Sequence, residues 1–298
     1  MRSKYLKFNH LYSILFTFLM IWGCNPTNST KSIEQVSNQN LFNFEYSSKE
    51  KNLVSAHRGG SGIENYPENC IETMDFLFQK GIQIFEIDVA HTKDQQLILM
   101  HDNSLQRTST GRQDVNQISL NQIKEYFLVD DFGNKTPYKI PTFTEALQWG
   151  YTKPIYFMVD IKKSVSYQQL IEEIRKNKMQ HNVVLVSYNL NQAKKLHQLA
   201  PEMLLSVSMR NEREFNEMIE SGIPTNKMVA FTGTRRSPQS LYDKIHGQNI
   251  MVILGTLGNI DKSAEARGNT IYQELEQQGI DIFATDRALE VYQTINKM

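Results

Sequence analysis

The stretch IFEIDVAHTKDQQLILMHD, residues 84–102, places two acids inside an apolar run that has the length of a buried strand. Side chains alternate between the two faces of a strand, so Glu86 and Asp88 point the same way. Two carboxylates about 4 Å apart repel each other by roughly 4 kcal/mol at an effective dielectric constant near 20. The pattern therefore predicts either a cation between the two acids or a proton on one of them.

Apolar runs of the same kind recur along the rest of the chain and alternate with amphipathic helix candidates. The strand candidates are residues 53–57, 83–89, 155–161, 183–188, 204–209, 228–232, 250–254 and 281–285. Eight strands interleaved with eight helices in about 250 residues predict an α/β fold, the (β/α)₈ TIM barrel. A doubly wound sheet is the competing fold, but no Gly-x-Gly-x-x-Gly motif follows the first strand candidate.

One interval interrupts the alternation of strands and helices. A second apolar run, read as an extension of the second strand, ends at His101, and residues 102–141 then show little periodicity. An interval of this length is long for a loop without structure of its own. We therefore predict a small inserted subdomain on the functional face of a domain that covers residues 51–298.

The N-terminal residues have the pattern of an export signal. A basic segment precedes about a dozen mostly apolar residues, too few for a comfortable membrane span of about 20 residues. Ile-Trp-Gly-Cys at 21–24 resembles a bacterial lipobox, which predicts a lipoprotein signal peptide over 1–23, a lipidated Cys24 and a flexible tether over 24–50. A plain secretory signal is the alternative. The lipoprotein interpretation predicts a membrane-anchored protein of the bacterial cell envelope, facing the periplasm or the outside.

Charge and cysteine content exclude some classes of partner and crosslink. Without the three basic residues of the signal peptide, the chain has 29 basic and 32 acidic residues and no basic stripe, which argues against nucleic acid as a partner. Cys70 is the only cysteine besides Cys24, so acylation of Cys24 leaves no intramolecular disulfide.

Polar residues gather where the first three predicted barrel strands end, and active sites of such barrels lie at that end. They are His57, Arg58, Glu86, Asp88, Asp160 and Lys162, with His101 after the second apolar run and Glu68 at the start of the first helix. The carboxylates are hard oxygen ligands, which favour one Ca²⁺ or Mg²⁺ ion over zinc. Two histidines can act as acid and base. Together with the cationic side chains, these groups suit cleavage of a phosphodiester.

Three segments carry a resemblance to a known family: SAHRGGSGIENYPENC (55–70), FEIDVAHTKDQQLILMHDNSLQRTSTG (85–111) and FMVDIKK (157–163). Their HRG, PEN, E-x-D, HD-x-x-L-x-R-T and D-x-K motifs resemble the glycerophosphodiester phosphodiesterase family over about residues 53–290. The resemblance implies a (β/α)₈ barrel with an insertion after the HD motif. It also implies metal-dependent hydrolysis of glycerophosphodiesters to glycerol phosphate and an alcohol, by way of a cyclic phosphate.

The resemblance also implies roles for individual residues. His57 and His101 look like the catalytic pair; Arg58, Lys162 and Glu68 look like substrate or phosphate ligands; Glu86, Asp88 and Asp160 look like the metal ligands. Asp160 stands where the family usually has Glu, and ILGTLGN (253–259) stands where it usually has W-T-x-N. Asp286 either belongs to the family's late Thr-Asp motif or caps the last helix.

Two other functions remain open at this point. The first is a sphingomyelinase D-like phospholipase or lyase that releases a cyclic phosphate; that group often has Asp before x-K, as this chain does, but lacks the insertion. The second is a non-catalytic envelope lipoprotein that binds phosphorylated headgroups. The expected ligand is a small glycerophosphodiester or a lysolipid-like molecule.

Overall fold

The structure, a computed structural model, describes residues 44–46 and 53–296 of the chain. The predicted signal peptide, Cys24 and most of the predicted tether lie outside the described residues. Within the described residues, no helix is both long and apolar enough to cross a membrane.

Strands and helices alternate along most of the described chain. The strands are β1 (Leu53–Ala56), β2 (Ile84–His91), β3 (Leu97–Leu99), β4 (Phe127–Val129), β5 (Lys135–Lys139), β6 (Tyr156–Ile161), β7 (Val183–Val186), β8 (Leu204–Ser208), β9 (Met228–Phe231), β10 (Val252–Gly255) and β11 (Ile282–Thr285). The helices are α1 (Ile71–Phe78), α2 (Leu120–Ile123), α3 (Phe143–Tyr151), α4 (Tyr167–Lys176), α5 (Leu190–Leu199), α6 (Glu212–Ile219), α7 (Gln239–His246), α8 (Asn259–Arg267), α9 (Thr270–Gln277) and α10 (Ala288–Ile295).

Eight of these strands form a closed parallel barrel in the order β1-β2-β6-β7-β8-β9-β10-β11, and β11 pairs with β1 again. All eight strand candidates of the sequence lie in the barrel, and the predicted (β/α)₈ fold is confirmed. The apolar faces of the helices close on the outer face of the strands; α4, for example, buries Leu170, Ile171 and Ile174. Burial of these faces, rather than helix propensity, stabilises such short helices.

A separate apolar cluster fills the inside of the barrel at the amino ends of the strands. It includes Ile84, Tyr156, Val229 and Ile282. Phe44 also belongs to this cluster, and its ring packs edge-on against that of Tyr156 with the ring centroids 4.6 Å apart. The backbone at Glu45 bridges to Ile250, just before β10. Residues 44–46 fall within the predicted tether, but a flexible tether does not describe them, because Phe44 is buried in the barrel.

The insertion begins differently from the sequence prediction. The apolar run at 97–99 does not extend β2; the chain reverses at Thr92–Gln96, and β3 pairs with β2 in antiparallel fashion. Gln95 takes a positive φ of 59° in this turn. Residues 102–141 then contain α2 and the antiparallel pair β4–β5. They bury a core of their own, including Leu105, Ile123 and Leu128, against Cys70.

Candidate active site

Three carboxylates project into the barrel at the carboxyl ends of β2 and β6. Asp88 and Asp160 lie directly opposite each other in the register of the two parallel strands, and Glu86 lies one inward-facing position before Asp88. One carboxylate oxygen from each of the three lies within 4.8 Å of the others. This spacing follows from strand geometry, since neighbouring strands are about 4.8 Å apart and alternate residues share a face.

The charges of two of these acids are balanced by Lys162, which follows β6. Its Nζ donates to Asp88 Oδ1 at 2.6 Å and to Asp160 Oδ2 at 2.8 Å. Burial alone would lower the pKa of Lys162, but the charges of Asp88 and Asp160 outweigh burial and raise it. The ammonium group is therefore one source of the positive charge that the sequence pattern demanded.

The surroundings of Glu86 differ from those of Asp88 and Asp160, because Lys162 donates to the two aspartates and not to Glu86. Burial, followed by the negative charge of Asp88, raises the pKa of Glu86 to about 8. Its Oε2 accepts the backbone N–H of Arg58 at 2.8 Å. Without a further cation, burial thus favours a proton on this carboxyl group.

These residues fit a hard divalent cation. Asp160 Oδ1 is buried and has no hydrogen-bond partner within the described part of the chain, which leaves an oxygen ready to act as a ligand. The donor set is made of carboxylate oxygens, the ligands preferred by Ca²⁺ and Mg²⁺. The acidic cluster can therefore hold a metal ion.

His57 lies directly after β1 and is paired with a carboxylate from the far end of the sequence. Its Nδ1 is 2.6 Å from Asp286 Oδ1, and its Nε2 is 4.0 Å from Glu86 Oε2. Closure of the barrel brings the pair together, because Ala56 and Thr285 are partners in the β1–β11 register. Burial would lower the pKa of His57, but the hydrogen bond to Asp286 and the charges of Glu86 and Asp286 raise it above its usual value.

His101 is paired with the acid next to it in sequence. Its Nδ1 is 2.6 Å from Asp102 Oδ1, and Arg58 Nη2 is 2.9 Å from its Nε2. A guanidinium can only donate, so Nε2 accepts and the proton of the neutral ring lies on Nδ1, which donates to Asp102. The partners of His101 thus assign the tautomer that carries its proton on Nδ1 and its lone pair on Nε2, where Arg58 donates.

A closed ring of hydrogen bonds holds this second histidine. Arg58 bonds Glu68 at 3.0 Å, Arg107 bonds both oxygens of Glu68 at 2.8 Å, and Arg107 also bonds Asp102 at 2.7 Å. Asp102 and Arg58 complete the ring through His101. Burial would raise the pKa of Glu68, but Arg107 and Arg58 outweigh burial and lower it. Glu68 therefore supports the arginines, of which only Arg58 touches His101.

The loop after β1 contains two residues in a backbone conformation that residues other than glycine rarely adopt. Arg58 and Asn69 both have φ near 52°, in the left-handed region, and Asn69 N donates to Arg58 O at 2.6 Å. The Asn69 side chain in turn donates to Asp88 Oδ2 at 2.8 Å and accepts the Asp88 N–H. Backbone strain of this kind persists only where the surroundings fix it, as at active sites.

The structure thus brings together all eight site residues predicted around the barrel mouth, and it adds four that the sequence reasoning did not assign to the site. The four are Asn69, Asp102, Arg107 and Asp286. The HD and PEN motifs contained a signal for Asp102 and Asn69, since both adjoin predicted site residues. Asp286 does not cap the last helix; Arg287 occupies the position before α10. Asp286 binds His57 because barrel closure places it there.

A cavity of about 220 Å³ opens beside the acids and both histidines. Its inner wall, formed by one layer of inward-facing residues, carries no ionisable side chain beyond the acids: it consists of Ser55, Met158, Val186, Ser206, Phe231, Ile253 and Ala284. Tyr188, Leu257 and Thr234 line it nearer the mouth. The site therefore combines a charged side with a largely apolar and hydroxyl-bearing side.

Known proteins resemble this chain in sequence. The model of the "Glycerophosphoryl diester phosphodiesterase family" matches residues 57–287. A glycerophosphodiester phosphodiesterase of Caldanaerobacter subterraneus is 29% identical over 163 residues, which cover 53% of this chain and 66% of the relative. The enzyme of the same name from Bacillus subtilis is 28% identical over 202 residues, 61% of this chain and 68% of the relative. The chain thus matches about two thirds of the length of each relative.

Solved structures resemble it as well. A glycerophosphoryl diester phosphodiesterase from Parabacteroides distasonis superposes with a TM-score of 0.81 at 29% identity, over 85% of this chain and 89% of that one. A phosphodiesterase from Oleispira antarctica, solved with its product sn-glycerol-3-phosphate, has a TM-score of 0.65 at 18% identity, over 83% and 98%. The second likeness concerns the fold alone. On the family match over residues 57–287, the chain belongs to the glycerophosphoryl diester phosphodiesterase family.

Proposed function

We propose that the protein hydrolyses glycerophosphodiesters to glycerol phosphate and an alcohol, with Ca²⁺ or Mg²⁺ held by Glu86, Asp88 and Asp160. The observation that carries the proposal is the pair of carboxylate-bound histidines that flank a three-carboxylate cluster. Two relatives bear the name of this activity, and the product of the Oleispira antarctica enzyme is the product proposed here.

The two histidines differ in a way that assigns their roles. The charges around His57 favour its protonated form, so His57 is the general acid that protonates the leaving alcohol oxygen. His101 carries its lone pair on Nε2, where Arg58 donates, so it is the general base that takes the proton of the attacking hydroxyl once that hydroxyl replaces Arg58 as the partner of Nε2. Groups whose environments favour opposite protonation states are the usual acid and base of such a site.

Arg58 and Lys162 bind the phosphate. Arg58 Nε is buried and unpaired among the described residues, which leaves one donor for an anion, and Glu68 orients its guanidinium. Lys162 donates to Asp88 and Asp160, which line the cavity, and balances charge that develops on the phosphate oxygens. When bound, the metal ion supplies Lewis-acid stabilisation to those same oxygens.

The attacking group in the first step is the adjacent glycerol hydroxyl. Its oxygen forms a bond to phosphorus while the bond to the alcohol oxygen breaks, which gives a cyclic phosphate; water then opens the ring to glycerol phosphate. A sphingomyelinase D-like enzyme would stop at the cyclic product. The structured insertion at 102–141, which supplies Arg107, favours the hydrolase.

The test is turnover of glycerophosphocholine by metal-stripped enzyme, with Ca²⁺ or Mg²⁺ added back. We expect release of choline and glycerol phosphate that depends on the added ion and that falls by about 10²–10⁴-fold in His57→Ala. His181→Ala, which changes an exposed histidine, is the matched control and keeps full activity. A stable cyclic phosphate would indicate a lyase, and binding without turnover would indicate a non-catalytic binding protein.

We also propose that Cys24 carries a lipid and anchors the protein to a membrane of the bacterial cell envelope. The lipobox-like segment 21–24 supports this proposal. Full-length protein is expected in the membrane fraction of a bacterial host, and Cys24→Ser is expected to move it to the soluble fraction. An unchanged distribution in Cys24→Ser would contradict the anchor.

A further inference from the structure

A second cavity lies next to the active-site cavity and shares two lining residues with it. Tyr188 and Ser208 line both cavities; the second has a volume of about 370 Å³. The active-site cavity alone, about 220 Å³, is smaller than the roughly 300–1,000 Å³ typical of pockets that enclose a whole ligand. The two cavities together fall within that range. A diester with a bulky alcohol therefore needs space beyond the first cavity.

Tyr188 stands at the boundary between these two spaces. It lies two residues after the end of β7, and its relative exposure of 55% is high for a large aromatic residue. It nevertheless lines the active-site cavity together with Glu86, Asp88 and Asp160. Tyr188 thus borders the acidic cavity and the second cavity while much of its ring is exposed, as expected of a side chain that separates the two.

The second cavity is lined mostly by polar and charged residues, and Leu190 and Met218 add apolar surface to it. Its lining includes the arginines of two ion pairs on α6 and just before it: Arg210 with Glu214 at 2.6 Å, and Arg213 with Glu217 at 3.0 Å. Asn189 and Asn191 add amide groups. Such a surface offers hydrogen bonds to hydroxyl or amino groups, whereas an acyl chain would displace water from these charged groups without replacing its hydrogen bonds.

We propose that Tyr188 determines specificity for the leaving alcohol: its ring closes the active-site cavity, and the polar cavity behind it is the place that a bulky, hydroxyl-rich alcohol would occupy. This inference rests on the proposed function and adds the substrate class to it. The wild-type enzyme prefers diesters of small polar alcohols. Removal of the ring joins the two cavities and admits larger polar alcohols, but not lysolipids.

The experiment compares two substrates across matched variants. The specificity constants kcat/KM of wild type, Tyr188→Ala, Tyr188→Phe and Phe132→Ala are measured with glycerophosphoethanolamine, which has a small alcohol, and glycerophosphoinositol, which has a bulky polyol. We expect Tyr188→Ala to raise the inositol-to-ethanolamine ratio at least tenfold. Tyr188→Phe keeps the wild-type ratio because the ring remains. Phe132→Ala, which removes an exposed ring from the insertion hairpin, is the control and also keeps it.

The outcomes separate this inference from the proposed function. Wild-type turnover of glycerophosphoethanolamine with an unchanged ratio in a folded Tyr188→Ala variant overturns the inference and leaves the proposed function standing. An equal loss of activity toward both substrates has the same meaning, since Tyr188 would then support catalysis rather than selection. A wild-type enzyme inactive on both diesters overturns both ideas. Tyr188→Leu, read in the same way, replaces the alanine variant if thermal unfolding shows that the latter does not fold.

Discussion

The two histidines of the site are held by unlike parts of the molecule. His57 and Asp286 are 229 residues apart and meet only because β1 and β11 close the barrel. His101 and Asp102 are adjacent in sequence, but Arg107 of the insertion fixes Asp102 from the other side. The first pair therefore depends on closure of the barrel. The second pair depends on the local sequence 101–102 and on its contact with the insertion.

This difference has consequences for the chemistry as well as for the fold. His57 is held by the carboxylate of Asp286, whose hydrogen bond raises the pKa of His57 and favours its protonated form. His101 instead accepts a hydrogen bond from the guanidinium of Arg58 at Nε2. The barrel therefore builds the acid and the insertion builds the base, so that damage to either region is expected to remove one half of the reaction.

The largest loss of activity is expected when the imidazole of His57 or of His101 is removed. Substrates with different leaving groups distinguish the role of one histidine from that of the other. His57→Asn and His101→Asn each lower kcat for glycerophosphocholine by about 10²–10⁴-fold, because each removes one proton transfer. A p-nitrophenyl ester of glycerol phosphate has a leaving group that needs no protonation. On this substrate we expect His57→Asn to recover at least tenfold in relative activity and His101→Asn to recover nothing. Equal recovery in both variants would contradict the assignment of acid and base.

The next effect concerns the carboxylates that hold the rings. Asp286→Asn and Asp102→Asn are each expected to cost roughly 10–100-fold in kcat/KM, the range found for other supporting carboxylates. The pH profile distinguishes them. Asp286 raises the pKa of His57, so its removal lowers that pKa, and the proton of the acid is lost at lower pH. The alkaline limb of kcat/KM therefore moves to lower pH in Asp286→Asn.

Asp102→Asn is the matched control in this pH experiment. It removes a carboxylate from the other histidine and leaves the hydrogen bond of His57 intact, so the alkaline limb is expected to stay in place. A shift of the limb in both variants, or in neither, would show that His57 is not the group that loses its proton there.

A smaller effect tests whether the insertion supports catalysis from a distance. Arg107→Gln removes the bonds to Glu68 and Asp102 without touching either histidine, and we expect a several-fold fall in kcat with little change in KM. We also expect a loss of about 1–2 kcal/mol in the free energy of unfolding, the order found for hydrogen bonds to charged groups. Arg112→Gln removes the same charge from an exposed position in the insertion and is expected to change neither. If both variants changed kcat and stability equally, the positive charge of Arg107 would matter and its specific hydrogen bonds would not.

The contrast between the two pairs also explains what the sequence could and could not predict. The eight barrel strands were predictable because each is a short apolar run, and the face shared by Glu86 and Asp88 follows from strand alternation alone. That Asp88 and Asp160 lie opposite each other depends on the register between β2 and β6. This register cannot be predicted from the local sequence of either strand. The resemblance to a family supplied the roles of individual site residues, which the pattern alone left open.

Other features depended on tertiary contacts that the sequence does not express. The reversal at Thr92–Gln96 was missed because an apolar run after a short polar stretch reads equally well as the same strand continued. Asp286 was open to a capping role since nothing near it in sequence points to His57. Phe44 falls in the predicted tether because residues 25–50 show no clear periodicity, and only the barrel interior shows why this ring is buried.

The smallest expected effect is a difference in stability that depends on pH and is confined to the ring around His101. Glu68 is 4% exposed and its pKa is lowered by Arg107 and Arg58, which outweigh burial. A depressed carboxyl pKa contributes stability that is present above the unfolded value, near 4.5, and is lost as the pH falls through the folded value. We therefore expect Glu68→Gln to be less stable than wild type at pH 7, by about 1–2 kcal/mol.

As the pH falls below about 4.5, this difference is expected to shrink, because wild-type Glu68 then gains a proton and resembles glutamine in charge. Urea unfolding of both proteins between pH 7 and pH 3 measures it. Glu64→Gln, which changes an exposed acid in the same loop, is the control and is expected to track wild type throughout. If the difference in the free energy of unfolding between the two proteins stayed constant with pH, Glu68 would hold the arginines through packing and neutral hydrogen bonds and not through its charge. In that case the base, unlike the acid His57, would owe its position to packing of the insertion.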